Sequence, residues 1–474
     1  MSTIAALNRD GHPIEIDPKH VDAFRAGLRG TLLTAADLAY NESRSIWNAM
    51  IDRKPALIAR CVGVSDIITG IKFAREHGIA LSMKGGGHNI AGTAVADKGL
   101  MLDLSHMRGV WVDPKARVAN VQPGAVLGDV DRETQLHGLA ALMGFVSMTG
   151  ATGLTLGGGI GYMSRRFGWT SDTVRSMNVV TADGRLVRAS EKENPDLFWG
   201  LRGGGANLGV VTNIEYDLFP VGPEIVGGGI AWHAESAPEV LGMLKKLAED
   251  SPPEAAVVGV LRLAPPAPWI DPSAHGKPIV ALFVCHTGKV EDAEKFVAQI
   301  KSFGKPVGDI AQRRTYVSQQ SLLDATQPKG RRYYWKSEYL PGLSSELFEA
   351  GMTHWKKIVS PHSAVIFFPL GDAVAKLPND HSAVGNRDAV YLLNITASWE
   401  KPEDDIANIE WARTAWRDMK RFSTGGTYIN FLTEEETTER IQDAYGANFG
   451  RLVEIKKKWD PENLFRMNKN IAAK

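Results

Sequence analysis

The sequence predicts an α+β protein in two parts, the second an antiparallel sheet covered by helices. Three observations predict it. A β-α-β order over residues 55–83 runs straight into a glycine loop. Strands with period-two alternation recur between residues 279 and 399, with helical stretches between them. Glycine makes up 48 of 474 residues, above the ordinary usage of about 7%, and half of it lies within residues 85–222. A chain of this length holds two or three domains at about 100–200 residues each.

The elements follow in order. Residues 1–50 read as a helical lead-in. Pro55–Val62 is a short apolar strand. Val64–His77 is an amphipathic helix: Ser65 stands as N-cap, Ile67, Ile68, Ile71 and Ala74 recur at helical spacing, and Gly78 ends it. Ile79–Met83, Leu100–Leu104 and Arg117–Val121 are strands, and Asp129–His137 is a short helix. Ser176–Thr181 and Arg185–Ala189 flank Asp183-Gly184, a two-residue turn signal. Val210–Leu218 alternates as a strand. After Pro223 come the strands Ile279–His286, Arg332–Tyr339, Val365–Pro369 and Tyr391–Trp399, with helices at Pro238–Ala248 and Val290–Phe303. Pro265–Pro278, with prolines at 265, 266, 268, 272 and 278, is a loop. Thr437–Tyr445 and Ala447–Trp459 are helices, the second stopped by Asp460-Pro461.

Composition narrows the function. Lys+Arg and Asp+Glu are 54 each, which gives no support for a nucleic-acid binder. Two cysteines, Cys61 and Cys285, exclude a disulfide scaffold and a multi-cysteine metal cluster. Each lies in an apolar strand and reads as a small buried hydrophobe. The stretch Gly138–Ser164 is uncharged and long enough to span a bilayer, but its many glycines fit a buried loop-and-strand segment better. The first twenty residues show no leader pattern. The expectation is a cytoplasmic protein, monomer or homodimer, without membrane contact.

Three glycine clusters stand out: KGGGHN at Lys84–Asn89, GATGLTLGGGIG at Gly150–Gly161, and GGGANLG at Gly203–Gly209. Such runs allow close backbone approach and form anion-binding concavities, for which a pyrophosphate is the natural guest. Tight turns between short strands are the alternative. GxGxxG fails in every register and GxxxxGK[ST] is absent, so neither a Rossmann site nor a P-loop is supported. His88 follows the first cluster directly, and a neutral imidazole is a competent nucleophile.

These residues carry a resemblance. The order KGGGHN, GLTLGGGIG, ADG and LRGGGANLGVVT over Pro55–Pro220 resembles the PCMH-type FAD-binding domain of the vanillyl-alcohol oxidase flavoproteins. Tyr428-Ile429-Asn430, Asn448-Phe449, and Asp460 to Phe465 followed by Asn468 resemble the element of the berberine-bridge-enzyme-like branch. In outline the chain is similar to the bacterial hydroxynicotine oxidase type. The resemblance implies a discontinuous FAD-binding part, 1–222 (core about 52–222) with a C-terminal element at 426–474, and a substrate-binding part at 223–425.

It also implies a site. Met83, Lys84, Gly85, Gly86, Gly87 and Asn89, with Gly92, would hold the FAD pyrophosphate, and His88 would bond the flavin 8α-methyl. Gly150, Gly153, Gly158 and Gly161 would line the other side. Val211 would sit near the nucleotide, and Asn430 and Asn468 would support the flavin. Relatives with a second, cysteinyl link carry a cysteine where this chain has Val146, so a single covalent link is expected.

The implied reaction is oxidation of a C–H next to an alcohol, hemiacetal or amine, with hydride passing to flavin N5 and O2 giving H2O2. A dehydrogenase using another acceptor, and a non-catalytic flavin protein, stay open; Thr93, beyond His88, does not decide between the first two. Alternation along RYYWKSEY puts Tyr334, Lys336 and Glu338 on one face and Trp335, Ser337 and Tyr339 on the other. Solvent exposure is one reading of that charged pair. Resemblance implies the other, with Lys336 and Glu338 contacting substrate. Asn394, Thr396 and Ser398 share a face of the next strand. Tyr428 is the expected proton acceptor, with Lys336 as the cation that lowers its pKa and Glu338 as rival base. Asn386 stands where the berberine-bridge type has a histidine before its arginine, here Arg387, which speaks against ring-closing chemistry.

Overall fold

The computed structural model describes residues 3–471. The outermost residues of the expected FAD-binding part, 1–2 and 472–474, lie outside the described residues. The strands before residue 222 form small sheets of their own. Thr31–Leu33, Leu57–Arg60, Leu100–Asp103 and Leu81–Lys84 lie in that spatial order. The last three are parallel, joined across by the helix Val64–Glu76. A five-stranded antiparallel sheet follows, in the order Leu186–Ser190, Val174–Val180, Val210–Asp217, Val118–Val121, Val110–Asp113.

All strands from 224 to 399 belong to one eight-stranded antiparallel sheet. Its central order is Glu224–His233, Pro278–His286, Ala255–Leu263, Ala364–Pro369, Tyr391–Trp399, Arg332–Leu340. Helices Ala237–Asp250, Val290–Lys301, Ser345–Trp355 and Asp405–Met419 cover one face of it. The first of these buries Ala237, Val240, Leu241, Leu244 and Leu247, a stripe at spacings of three and four. Each fully buried Leu or Val contributes about 1.5–3 kcal/mol, so the covered face anchors the sheet while its other face stays free to line a cavity. The C-terminal element returns to the first part: Ile429, Leu432, Tyr445, Leu452 and Ile455 share a core with Val179, Trp199 and Val211.

The structure departs from expectation at four places. The first fifty residues are not a helical lead-in but a hairpin, Ile4–Leu7 with Pro13–Ile16, then helix Pro18–Gly27, strand Thr31–Leu33 and a short helix Tyr40–Arg44. The hairpin's turn is set by Asn8, whose side-chain oxygen accepts from the N–H of Asp10 and of His12, both at 2.9 Å. Helix Val64–Glu76 is capped at Gly63, not Ser65, with no side-chain cap bond. Two sheet strands, Glu224–His233 and Ala255–Leu263, were not anticipated, because a glycine triplet interrupts the first and an apolar run without alternation marks the second. The uncharged stretch from Gly138 folds into loops, a two-residue strand and the helix Ala151–Leu156. No helix among the described residues is long and apolar enough to cross a membrane. Cys61 and Cys285 are both buried and free.

Candidate active site

One elongated cavity of about 300 Å³ lies between the two parts. Its floor is the loop after strand Leu81–Lys84, the entry to helix Ala151–Leu156, and the segment Gly205–Val211. Its roof is the uncovered face of the large sheet. Alternation turns Val258, Val260 and Arg262 to the cavity from one strand, Ala364, Ile366 and Phe368 from the next, and Asn394 and Thr396 from the third. Trp335 completes a cross-strand row Arg262, Ala364, Thr396, Trp335.

Six buried side-chain atoms that line this cavity have no hydrogen-bond partner in the protein: His88 Nε2, Thr152 Oγ1, Tyr162 Oη, Gln327 Oε1, Trp335 Nε1 and Asn394 Oδ1. Buried polar groups are normally paired, and each one left alone costs about 1–3 kcal/mol. Six converging on one space mark a site built around a polar ligand.

Burial lowers the His88 pKa to about 4, so its ring is neutral at physiological pH. The ring stacks on Trp47 at 4.2 Å, and Trp47 stacks on Tyr333 of the roof at 3.6 Å. The Trp47 backbone N–H donates to Gly87 O at 3.0 Å, and its indole Nε1 donates to Gln327 O at 2.9 Å. Asn48 Nδ2 donates to Ile90 O and Tyr333 O, both at 3.0 Å. Residues 47–48 thus clasp the His88 loop to the roof. No motif or spacing marks them in the sequence.

Tyr428 is almost fully buried, and its hydroxyl oxygen accepts from Gly159 N–H at 3.0 Å and from Asn430 Nδ2 at 2.9 Å. Burial pushes the phenol well above its ordinary value, while those two donors pull the other way and lose. Asn430 reaches this point because Gly157 has no side chain: a Cβ there would lie 2.1 Å from Asn430 Oδ1. Gly205, at φ +70°, admits Asn468 in the same way.

Of the expected residues, Met83, Gly85, Gly86, Gly87, His88, Asn89, Gly150, Gly153, Val211, Tyr428, Asn430 and Asn468 all line this cavity. Four others do not. The Lys84 side chain turns into the protein, 3.3 Å from Asp103 and bonded to Ser43 O. Gly92, Gly158 and Gly161 are packed positions; a Cβ on Gly161 would fall on Met143 O. Asn394 and Thr396 face the cavity.

Lys336 and Glu338 are the main correction. The alternation holds, but their face is the one covered by helices, away from the cavity. Lys336 Nζ lies 2.6 Å from Glu436 Oε1 and 3.2 Å from Glu435 Oε1. Glu338 accepts from Trp416 Nε1 at 2.6 Å, Ser423 Oγ at 2.7 Å and Arg440 Nη2 at 2.5 Å. Neither solvent nor substrate neutralises this pair. The helix Asp405–Met419, Ser423 and the segment 433–440 bring protein partners instead, Arg440 buried and Glu435 exposed among them, and with Lys336 so engaged the cation expected beside Tyr428 is not there.

Comparison with known proteins fits this geometry. Residues 55–190 match the model of an FAD binding domain, and residues 427–472 match the berberine and berberine-like model. The (R)-6-hydroxynicotine oxidase of Paenarthrobacter nicotinovorans is 29% identical over 94% of this chain and 97% of its own. The chain thus carries an FAD binding domain and a berberine-like domain, and it is an FAD-dependent oxidoreductase. The solved 6-hydroxy-D-nicotine oxidase of Arthrobacter nicotinovorans superposes with a TM-score of 0.83 at 27% identity, covering 94% of this chain and 98% of that one. The chitooligosaccharide oxidase of Gibberella zeae is 28% identical over 92% of this chain and 91% of its own.

This oxidoreductase also passes a test of fit for FAD on its own geometry. The floor is mostly backbone and small side chains, and a Cβ on Gly153 would meet nothing within 4 Å. A flat, extended dinucleotide suits such a floor. The orphaned His88 nitrogen and the orphaned Thr152 hydroxyl stand along its length.

Proposed function

We propose that this oxidoreductase is an oxidase with FAD bonded through His88, acting on a C–H beside an alcohol, hemiacetal or amine. The observation that carries the reading is His88 itself: a neutral ring in the cavity wall with a buried, unpartnered nitrogen. Protonation would remove the lone pair, and burial prevents it. Trp47 holds the ring in one orientation.

Bound FAD supplies the two-electron acceptor for the C–H hydride and returns to its oxidised form on O2, giving H2O2. The protein's part is positioning and one proton. The loop Met83–Asn89 and Gly150, Gly153 and Val211 hold the dinucleotide, and Asn430 and Asn468 support it from the C-terminal element. The solved glucooligosaccharide oxidase of Acremonium strictum is described as carrying a 6-S-cysteinyl, 8α-N1-histidyl FAD. Here Val146 lines the cavity, Cys61 is buried just after the strand Leu57–Arg60 and Cys285 within Pro278–His286, so one link, through His88, is the reading.

Tyr428 takes the substrate O–H or N–H proton at its Oη. Two N–H donors fix that oxygen and stabilise the phenolate, though burial still holds its pKa high. Asn394 Oδ1 and Trp335 Nε1 are free to bond and orient substrate. The test is acid precipitation. Wild-type protein should give a yellow pellet and His88→Ala a colourless one with FAD in the supernatant; a colourless wild-type pellet refutes the link.

A further inference from the structure

The charge on the cavity wall is lopsided. Among the described residues that line it there is no Asp, Glu or Lys, and the one permanently charged side chain is Arg262. Arg262 lies on the roof, in a row with Ala364, Thr396 and Trp335. Three interstrand steps of about 4.8 Å put it roughly 14 Å from Trp335. Around it the roof is apolar: Val258, Val260, Ala364, Ile366 and Phe368.

The guanidinium has no ion-pair partner among the described residues. Its one bond to protein is a 3.2 Å contact from Nε to Leu263 O. Arg331 and His362 are the charged and titratable groups that act on it or answer to it, and both are basic. Burial and Arg331 together pull the Arg262 pKa down to about 10, which still leaves it charged at neutral pH. His362 lines the cavity and pairs with Glu400 at 3.2 Å, but Glu400 is largely exposed and faces the histidine. Burial and the two arginines lower the His362 pKa, so that ring is a neutral hydrogen-bonding group.

A largely enclosed guanidinium beside a second one, without a carboxylate, is unfavourable on its own. The guanidinium is also not needed for packing the covered face, since only the Arg262 carbonyl is used there, by Trp355 Nε1 at 3.0 Å. The missing counter-charge is the ligand's.

We propose that the substrate carries a carboxylate at the end remote from the reacting C–H, and that Arg262, aided by His362, docks it. This rests on the oxidase reading for the site but not on its chemistry. A guanidinium fork takes a carboxylate in a two-point contact. One unpaired arginine balances one negative charge, which favours a carboxylate over a phosphate dianion. A cationic amine finds no counter-charge on this wall and meets Arg262 unscreened.

The experiment uses the FAD-loaded enzyme and three isosteres: phenylacetate, phenylacetamide and 2-phenylethylammonium. Their dissociation constants are read from perturbation of the flavin spectrum, without turnover. Phenylacetate should bind roughly tenfold or more tighter than the amide, and the ammonium weakest. Arg262→Gln should abolish that preference while keeping its FAD and its acid-stable colour. Equal or better binding of the amide or ammonium overturns the proposal. So does no phenylacetate binding up to its solubility limit, or a preference that survives in Arg262→Gln. Loss of FAD from Arg262→Gln also overturns it, by making the arginine a cofactor ligand. A failure of the oxidase reading would show instead as a flavin that no substrate reduces, with this binding order intact.

Discussion

The two faces of the large sheet carry opposite chemistry on the same strands. The covered face holds Lys336 and Glu338 in an ion-pair network with Glu435, Glu436 and Arg440, buried at Lys336, Glu338 and Arg440 and reaching the surface at Glu435. The cavity face holds Trp335, Asn394 and Thr396, neutral groups of which two have orphaned atoms, and the lone Arg262. A charged pair in a strand thus marks the stabilised side, and the side that faces the cavity is nearly uncharged. Charges that are satisfied at rest hold the fold. Groups left unsatisfied at rest wait for a ligand.

Substitutions on the two sides should therefore fail differently. The largest effect is expected at Tyr428. Tyr428→Phe should slow anaerobic flavin reduction by about 10²–10⁴-fold while leaving FAD bound, at a stability cost of about 1–3 kcal/mol from the orphaned Gly159 N–H. Stopped-flow reduction and a thermal melt check both halves. On the covered face the pattern inverts. Glu338→Gln leaves Arg440 buried without its counter-charge and should cost about 3 kcal/mol of stability, read in denaturant unfolding. Its kcat, measured well below the midpoint, should stay within about twofold of wild type, a difference of ~0.4 kcal/mol.

The pair Arg387–Asp172, bidentate at 2.8 and 2.7 Å and buried on both sides, extends the same rule outside the sheet. Arg387→Ala should destabilise by about 3–5 kcal/mol, again with bound FAD retained at low temperature. The smallest signal is the pH profile. A base that must be deprotonated, with its pKa held above the ordinary tyrosine value, gives kcat/KM that rises with pH through neutrality and shows no plateau below about pH 9. A plateau reached near pH 7 would transfer the role to His362, whose pKa is lowered.

The floor was legible in the sequence and the roof was not. Gly85–Gly87 and Gly150 declare themselves because their constraint is on the backbone, and a backbone constraint selects one residue type. Asn430 and Asn468 came from the resemblance alone, and the structure sets them against Gly157 and Gly205. Alternation along residues 332–340 correctly split the side chains into two sets, yet it has no sign: nothing in RYYWKSEY says which set a helix will cover. That is decided by Trp416, Ser423 and Arg440, far along the chain. Arg262 was hidden for a related reason, since the apolar run Ala255–Leu263 shows no alternation to place it. Trp47 has only tertiary meaning, between His88 and Tyr333.

The covalent link proposed through His88 is open to direct test. The intact mass of the denatured wild-type protein, beside that of His88→Ala, tests it most directly. The wild-type mass should equal the chain plus one FAD, and that of the variant the chain alone. A wild-type chain that sheds its FAD completely on denaturation would contradict it.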